Sequence, residues 1–294
     1  MWKLLKEAVL SFIEDQALSR GAAIAFYTVT SIAPILLIVI AIAGLVFGQE
    51  AAQGAIIGQL GGLMGQQTAE VLQTAVASAS GKTAGTLATI IGVVTLIATA
   101  SGVFGEMQSA LNAIWKAKPT GTTVSRLIRA RAASLGLVAT LGFLLVVSLV
   151  VSAGLTAFGD RLNTVLPFGE LVVMVLNAVI SFVLLSVLFA AIYKVLPDRA
   201  LQWRDVIVGA GVTALLFIVG KSLIGWYIGS SDVGSAYGAA GSLIVLLLWV
   251  YYSVQIFLLG AEFTKAYANR HGSKQDKPVP AGQGVGSQAR ESHA

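Results

Sequence analysis

One lysine interrupts a long apolar stretch of the sequence. Lys221 lies sixteen residues after Asp205 and eleven before Asp232, and no other charged residue falls between those two carboxylates. An ammonium group near the centre of a transmembrane helix costs about 2.5–3.5 kcal/mol on insertion scales. Two interpretations stay open. Lys221 binds the phosphate or carboxylate of a ligand in an outward-opening cavity, or it snorkels to the outer interface beside Trp226 and Tyr227.

Few other polar side chains fall within the apolar stretches. Glu262 comes three residues before Lys265, and a local ion pair on one helix explains its presence without any function. Asn177 and Gln255 are expected to face neighbouring helices, where hydrogen bonds between helices contribute about 0.6 kcal/mol on average. We interpret these two amides as packing residues.

An enzyme site is difficult to assemble from this sequence. Both histidines, His271 and His293, fall in or beside a polar C-terminal segment, and the chain has no cysteine. A histidine base or a thiolate is therefore not available within the apolar stretches. Four carboxylates remain as candidates for the magnesium site of a nuclease: Glu14, Asp15, Asp198 and Asp205. Their spacing matches no recognised site, so we expect no enzymatic activity, no metal and no cofactor.

Long apolar segments carry these residues. The chain has 56% hydrophobic and 11% charged residues, whereas soluble domains have about a quarter charged. A helix of about 20 apolar residues crosses a bilayer core of about 30 Å. Six segments are long enough: 21–48, 83–105, 132–159, 171–193, 206–231 and 233–261. The sequence therefore predicts an all-α polytopic membrane protein with six transmembrane helices.

Basic residues are distributed unevenly between the predicted loops. If the N-terminus is cytoplasmic, sixteen of the 19 Lys and Arg residues fall on inner segments. Only Lys82 and Arg161 fall on the outer side, with Lys221 within the membrane. Because cytoplasmic loops carry an excess of Lys and Arg, we predict that both termini are cytoplasmic. We interpret the basic inner face as a contact with anionic lipid headgroups rather than with nucleic acid.

The segment before the first span has helical periodicity. Its apolar residues Trp2, Leu5, Val9, Phe12 and Ile13 recur at helical spacing, with charged residues on the other faces. This pattern predicts an amphipathic helix that lies in the inner interface. It anchors the protein or, alternatively, docks a partner.

Two other segments lie outside the predicted spans. The outer loop, 49–82, has the periodicity of one or two amphipathic helices that would cap the outer face. Residues 269–294 are polar and rich in Gly and Pro, which predicts a disordered cytoplasmic tail. Residues 1–268 then form a single membrane domain.

Two of the predicted spans contain potential irregularities. Pro34 removes a backbone hydrogen bond in the first span, and Thr28, Thr30 and Ser31 stand one turn upstream, where their hydroxyls can satisfy freed carbonyls. The resulting kink either lines a solvated cavity or is accommodated by packing. Glycines around Tyr237 predict a loop or a broken helix at the outer end of the last span.

Several separated motifs occur in order along the chain. Those of the first half are Ala22, Ala23, Ala25, Phe26, Tyr27, Ser31, Pro34, Leu36, Leu37, Leu111, Asn112, Ile114 and Trp115. Those of the second half are Tyr193, Leu196, Pro197, Trp203, Gly209, Gly220, Lys221, Tyr227, Tyr237, Gly238, Ala239, Trp249, Tyr251, Tyr252, Gly260, Ala261 and Glu262. Between about residues 10 and 268, the chain resembles the YihY or BrkB family of bacterial inner-membrane proteins, some long labelled ribonuclease BN.

The resemblance implies six helices with both ends cytoplasmic, a place in the bacterial inner membrane, and an association with envelope integrity. A kinked first helix, an outer lysine and a glycine-rich outer end of the last span together suggest a groove open to lipid. Our leading hypothesis is a transporter or lipid-translocating protein for an amphipathic anion such as a phospholipid. The candidate substrate-binding residues are Lys221, Tyr227, Tyr237, Glu262, Pro34 and Tyr27.

Two other functions stay open. The rival hypothesis is a membrane scaffold that docks envelope machinery and transports nothing. A membrane ribonuclease is the third, and it requires metal-dependent cleavage that depends on Asp198 and Asp205. The expected partners are membrane lipids, envelope proteins and a second copy of the chain, with no nucleic acid. Small residues at helix faces permit such a homo-oligomer without requiring it.

Overall fold

The computed structural model describes residues 2–64, 69–70, 72–74, 76, 102–117, 169–230 and 241–272, and this part is helical without any strand. The all-α prediction is therefore confirmed for these residues. Residues 69–70, 72–74 and 76 are also helical. The longer helices are α1 (Trp2–Glu14), α2 (Ala17–Phe47), α3 (Gln49–Met64), α4 (102–114), α5 (Gly169–Val195), α6 (Trp203–Ser230) and α7 (Gly241–Arg270).

Three described helices are long and apolar enough to cross a membrane, with candidate spans at Leu171–Val195, Trp203–Ile228 and Leu243–Arg270. At 1.5 Å per residue each exceeds the roughly 30 Å hydrocarbon core. They correspond to the predicted spans 171–193, 206–231 and 233–261. The predicted span 132–159 and most of 83–105 lie outside the described residues, as does Tyr237.

Helix α7 ends later than the sequence predicts, and residues 231–240, which include the predicted start of its span, lie outside the described residues. It starts at Gly241 and continues to Arg270, past the predicted end at residue 261. The charged residues that suggested an end are held by partners, since Lys265 pairs with both Glu262 and Asp15. Because these charged side chains are paired within the protein, the helix can continue past them. The predicted tail beyond Gly272 lies outside the described residues.

Helices α6 and α7 approach each other closely and run antiparallel. A methyl group placed on Gly209 would meet Thr264, and one placed on Gly260 would meet Thr213 and Tyr193. Such small-residue contacts allow helix backbones to pack tightly within a membrane. Tyr193 of α5 donates a hydrogen bond of 2.7 Å to the carbonyl of Phe257 and thereby ties α5 to this pair.

Helix α5 packs on α6 through its C-terminal half. Phe182, Phe189 and Tyr193 join the main core, whereas the N-terminal half exposes a continuous set of apolar side chains that suits contact with lipid. Asn177 lies in this exposed half. No described element covers α5 there, and the predicted span 132–159 and most of 83–105 lie outside the described residues, so a helix contact for Asn177 stays a prediction.

Helix α2 runs without interruption through Pro34. The hydroxyls of Thr28, Thr30 and Ser31 donate to the carbonyls of Ile24, Phe26 and Tyr27, respectively. Each bond lies one turn N-terminal to the hydroxyl, which is the usual intrahelical geometry for these residues. The prediction that these hydroxyls compensate Pro34 is therefore wrong, because Pro34 frees the carbonyl of Thr30.

Helix α1 packs along the C-terminal third of α7. Leu4 and Ala8 are buried in a cluster with Phe263 and Ala266. Of the predicted apolar stripe, Phe12 packs against the main core, whereas the other large residues are exposed: Trp2, Leu5, Val9 and Ile13. The helix predicted for this segment is confirmed, and it has two apolar faces rather than one.

Contacts between distant segments bring several helix ends together. Asp15 meets Lys116 and Lys265, and Asp198 accepts a hydrogen bond of 2.9 Å from Asn112. The start of α2, the ends of α4, α5 and α7, and the start of α6 therefore lie at one end of the bundle. We call it the polar end.

Candidate functional site

The predicted lysine lies far from the polar end. Lys221 is exposed on α6, and it forms no ion pair with any described residue. Counted from Trp203 at 1.5 Å per residue, it stands ~27 Å along the helix. Trp226 and Tyr227, one to two turns further, are also exposed. This arrangement suits a lysine that reaches the headgroup region at the opposite side of the bilayer.

Among the other predicted site residues, Glu262 lies at a different level of the bundle from Lys221. Tyr27 is partly exposed on α2, where its ring lies beside Gly102 of α4. Pro34 is within α2, and Tyr237 lies outside the described residues. Glu262 of α7 faces the level of Gly209 and Thr213, about ten residues or ~15 Å along α6 from Lys221. No described hydrogen bond or ion pair joins any two of these residues.

Among the predicted site residues whose side chains the structure describes, Glu262 is the most buried. Its side chain is 0% exposed, and its Oε2 lies 3.1 Å from the ammonium of Lys265, which confirms the predicted local pair. Its Oε1 is buried and accepts no hydrogen bond from a described residue. A buried carboxylate oxygen without a partner is costly, so Glu262 needs compensation beyond Lys265.

Two further residues complete a charged network around Glu262. Asp15, in the turn between α1 and α2, lies 3.1 Å from the ammonium of Lys265 and forms a second ion pair with Lys116 after α4. The Asp15 side chain is 6% exposed, whereas that of Lys116 is 67% exposed. The ion network of Asp15, Lys116, Glu262 and Lys265 thus joins three distant segments.

Electrostatics favour the charged form of Asp15. Burial raises the pKa of its carboxyl, but the hydrogen bonds from Lys116 and Lys265, the side-chain contact with Glu262 and the charge of Lys265 together outweigh burial. The pKa therefore lies below its ordinary value of 3.8. Asp15 is thus ionised at physiological pH and can hold both lysines.

The backbone is strained at both sides of the Asp15 contact with Lys116. Gln16 has φ 54° and Lys116 has φ 48°, and these are the non-glycine residues with positive φ in the described part. The left-handed region costs roughly 1–2 kcal/mol for a residue with a side chain. Both residues stand at helix ends, since the N–H of Gln16 donates to the carbonyl of Ile13 after α1 and the N–H of Lys116 to that of Ala113 after α4. A left-handed residue is a common way to end a helix.

A second polar network adjoins the first. The Asp198 carboxylate accepts hydrogen bonds from the side-chain amides of Asn112 and Gln108. The backbone N–H of Asp198 donates a hydrogen bond of 2.8 Å to the side-chain oxygen of Asn112. Arg199 donates to the carbonyl of Trp115. These contacts fix the connection between α5 and α6 against α4, next to Lys116.

Sequence reasoning found Glu262 and Lys265 but missed the roles of Lys116 and Asp15. The available signal was a carboxylate at the break between an amphipathic helix and the first span. Of the residues described, no three potential ligands among His, Cys, Asp and Glu lie close enough to hold a metal ion. The ion network can exchange protons and rearrange its pairs, but its two lysines compete with any bound cation.

Comparison with known proteins identifies relatives over most of the chain. The family described as Virulence factor BrkB matches residues 8–283. A UPF0761 membrane protein of Pasteurella multocida is 30% identical over 181 residues, which is 61% of this chain and 54% of the relative. The UPF0761 membrane protein YihY of Salmonella typhimurium is 36% identical over 180 residues, 60% of this chain and 58% of the relative.

A longer relative, a UPF0761 membrane protein of Alcanivorax borkumensis, is 31% identical over 180 residues and is covered over only 40% of its length. The aligned part of the chain thus spans less than two thirds of each of these relatives. No solved structure matches the chain. The family match and the apolar helices agree, and the protein is a helical membrane protein that belongs to the YihY/BrkB family.

Proposed function

We propose that this protein is an inner-membrane transporter or lipid-translocating protein for an amphipathic anion, and that it contributes to envelope integrity. The observation that carries the proposal is the exposed position of Lys221, without an ion pair to any described residue, on a helix long enough to span the bilayer. An ammonium at that depth attracts a phosphate or carboxylate headgroup, while the apolar surface around it accommodates acyl chains.

The proposal includes six spans with both termini in the cytoplasm. Arg20, Lys116, Arg199 and Lys265 all belong to segments that meet at the polar end, which supports a cytoplasmic location for that end. Lys221 then lies toward the outer leaflet. The description of the matching family as a virulence factor agrees with an envelope role.

Movement of fluorescent phospholipids between leaflets of reconstituted liposomes tests the proposal. We expect faster movement than in empty liposomes, a loss of roughly tenfold in Lys221→Ala, and retention in Lys221→Arg, because the site requires a positive charge. Val219→Ala is the matched control, since Val219 is exposed on the same helix. If Lys221→Ala moves phospholipids at the wild-type rate, Lys221 is not part of the substrate-binding site.

The same assay shows whether the protein selects lipids by headgroup charge and whether it moves lipids at all. Movement of anionic but not zwitterionic phospholipid would identify headgroup charge as the selected property. No movement of either lipid above the empty-liposome rate would contradict lipid translocation and favour the scaffold hypothesis.

The scaffold is the second candidate because α1 leaves an apolar stripe uncovered. Deleting residues 1–20 would also remove Asp15 from its ion pairs, so point variants test docking more cleanly. Affinity capture with Trp2→Asp and Val9→Asp should lose envelope partners if α1 docks them. A lipid transporter would keep its transport rate and lose no partner.

We assign the protein no enzymatic activity, cofactor or nucleic-acid partner. Asp198, one of the two carboxylates on which a ribonuclease would depend, already accepts hydrogen bonds from Asn112 and Gln108. Metal-dependent RNA cleavage that disappears in Asp198→Asn would overturn this assignment. Beyond lipids, the proposed partners are envelope proteins and a second copy of the chain.

A further inference from the structure

The ion network holds equal numbers of opposite charges in a buried place. Asp15 and Glu262 contribute two carboxylates, and Lys116 and Lys265 contribute two ammonium groups. With both carboxylates buried, a net charge left among them is costly. The network therefore stays neutral only if a loss of one positive charge is matched by the loss of one negative charge.

Lys116 is the member that can leave most easily. Its side chain is 67% exposed, against 17% for Lys265, so water can solvate its ammonium group. Its backbone and that of Gln16 occupy the strained left-handed region. The left-handed backbone of Lys116 is held by the hydrogen bonds that end α4, so its side chain can leave Asp15 without a change in that helix end.

Glu262 is the member that can lose its charge. After Lys116 leaves, Asp15 and Glu262 share the single ammonium group of Lys265. Glu262 Oε1 lies buried without a described hydrogen-bond partner, and a proton there would restore neutrality. The proton is taken from solvent at the polar end, and no covalent bond other than the O–H changes.

We propose that Glu262 is a proton-binding site whose protonation is coupled to release of Lys116 from Asp15, which opens the polar end between the α1–α2 turn and α4. The inference goes beyond lipid translocation and does not depend on it. Loss of lipid transport would leave the coupling intact.

The other groups around the network do not replace this proton. Arg20 of α2 donates to the backbone carbonyl of Asp15, at 3.0 Å, rather than to a carboxylate of the network. On the α6 side, Gly209 and Thr213 lie against Thr264 and Gly260, the α7 residues two positions from Glu262, and neither carries a charge. Lys265 is already shared by both carboxylates.

A double-mutant cycle on the purified full-length chain tests the coupling. Glu262→Gln and Lys116→Gln should each lower the Tm by a few degrees, because each leaves an unbalanced charge. The Tm of the double variant should fall by clearly less than the sum of the two single decreases, because Asp15 and Lys265 then remain as a neutral pair. Lys3→Gln is the control, because Lys3 is an exposed residue of α1. Its change in Tm should simply add to that of Glu262→Gln. If the decreases in Tm of Lys116→Gln and Glu262→Gln add up to that of the double variant, the proposal is overturned.

Infrared spectroscopy detects the proton directly. The C=O band of a protonated carboxyl group that disappears in Glu262→Gln should emerge at a higher pH in Lys116→Gln than in the wild type. Lys116→Arg keeps the charge and should behave like the wild type. The same onset pH in Lys116→Gln and the wild type would contradict the coupling.

Opening can be measured without changing Glu262. The chain has no cysteine, so spin labels can be placed at Ser19→Cys on α2 and Ser109→Cys on α4, both exposed positions. We expect a longer distance to become populated in Lys116→Gln, and in the wild type on acidification. A single unchanged distance in both proteins over the pH range would overturn the proposed opening.

Discussion

At the scale of residues, the chain places its chemistry at two separate levels. Lys221 is exposed near one end of α6, and the ion network is buried at the other end of the bundle. The pair of Glu262 and Lys265 is predictable because helical geometry fixes neighbours three residues apart. The partner Asp15 is not predictable, since 101 residues separate it from Lys116 and 250 from Lys265.

Replacing Asp15 tests the electrostatics of the network. The folded pKa of Asp15 lies below its ordinary value of 3.8, so its stabilisation is complete above that value and is lost as the pH falls through the folded pKa. Asp15→Asn should cost about 2 kcal/mol at neutral pH. Thermal unfolding of both proteins from neutral to acidic pH measures this. The difference in Tm should shrink below pH 3.8, and a difference that stays constant there would contradict a charged Asp15.

At the scale of elements, apolar patterning explains which helices form but not how they pack. Long apolar segments predict α2, α5 and α6 because an apolar run of such length favours a spanning helix. The close contact of α6 with α7 depends on Gly209 and Gly260, which meet threonines that lie more than forty residues away. Nothing local in the sequence distinguishes these glycines from the exposed Gly225.

That difference between glycines is testable. Gly209→Ala places a methyl group against the side chain of Thr264, and an overpacked contact costs about 1–3 kcal/mol. Gly225→Ala is the matched control on the same helix, where nothing lies within 4 Å of the added methyl group. We expect a lower Tm only for Gly209→Ala, and neutral or slightly higher stability for Gly225→Ala because alanine favours a helix. Equal effects would contradict the close approach of α6 and α7.

At the scale of the whole molecule, the fold separates a charged end from an apolar body. The contacts of Asp15, Lys116, Arg199 and Lys265 bring basic segments that are distant in sequence to one end. Charge counting predicts this gathering because positive residues stay on one side of a membrane. The exposed apolar surface of α5 lies away from that end, as expected for a surface in contact with acyl chains.

Cysteine accessibility in intact cells tests the orientation of the polar end. The absence of native cysteine makes single variants unambiguous, and Ser19 and Ser230 are exposed residues at opposite ends of the bundle. A membrane-impermeant maleimide should label Ser230→Cys from the periplasm once the outer barrier is opened. It should label Ser19→Cys only after the inner membrane is permeabilised, because the basic end belongs to the cytoplasm. The reverse pattern would contradict the predicted orientation and place Lys221 toward the inner leaflet. The proposed substrate would then reach Lys221 from the cytoplasmic side.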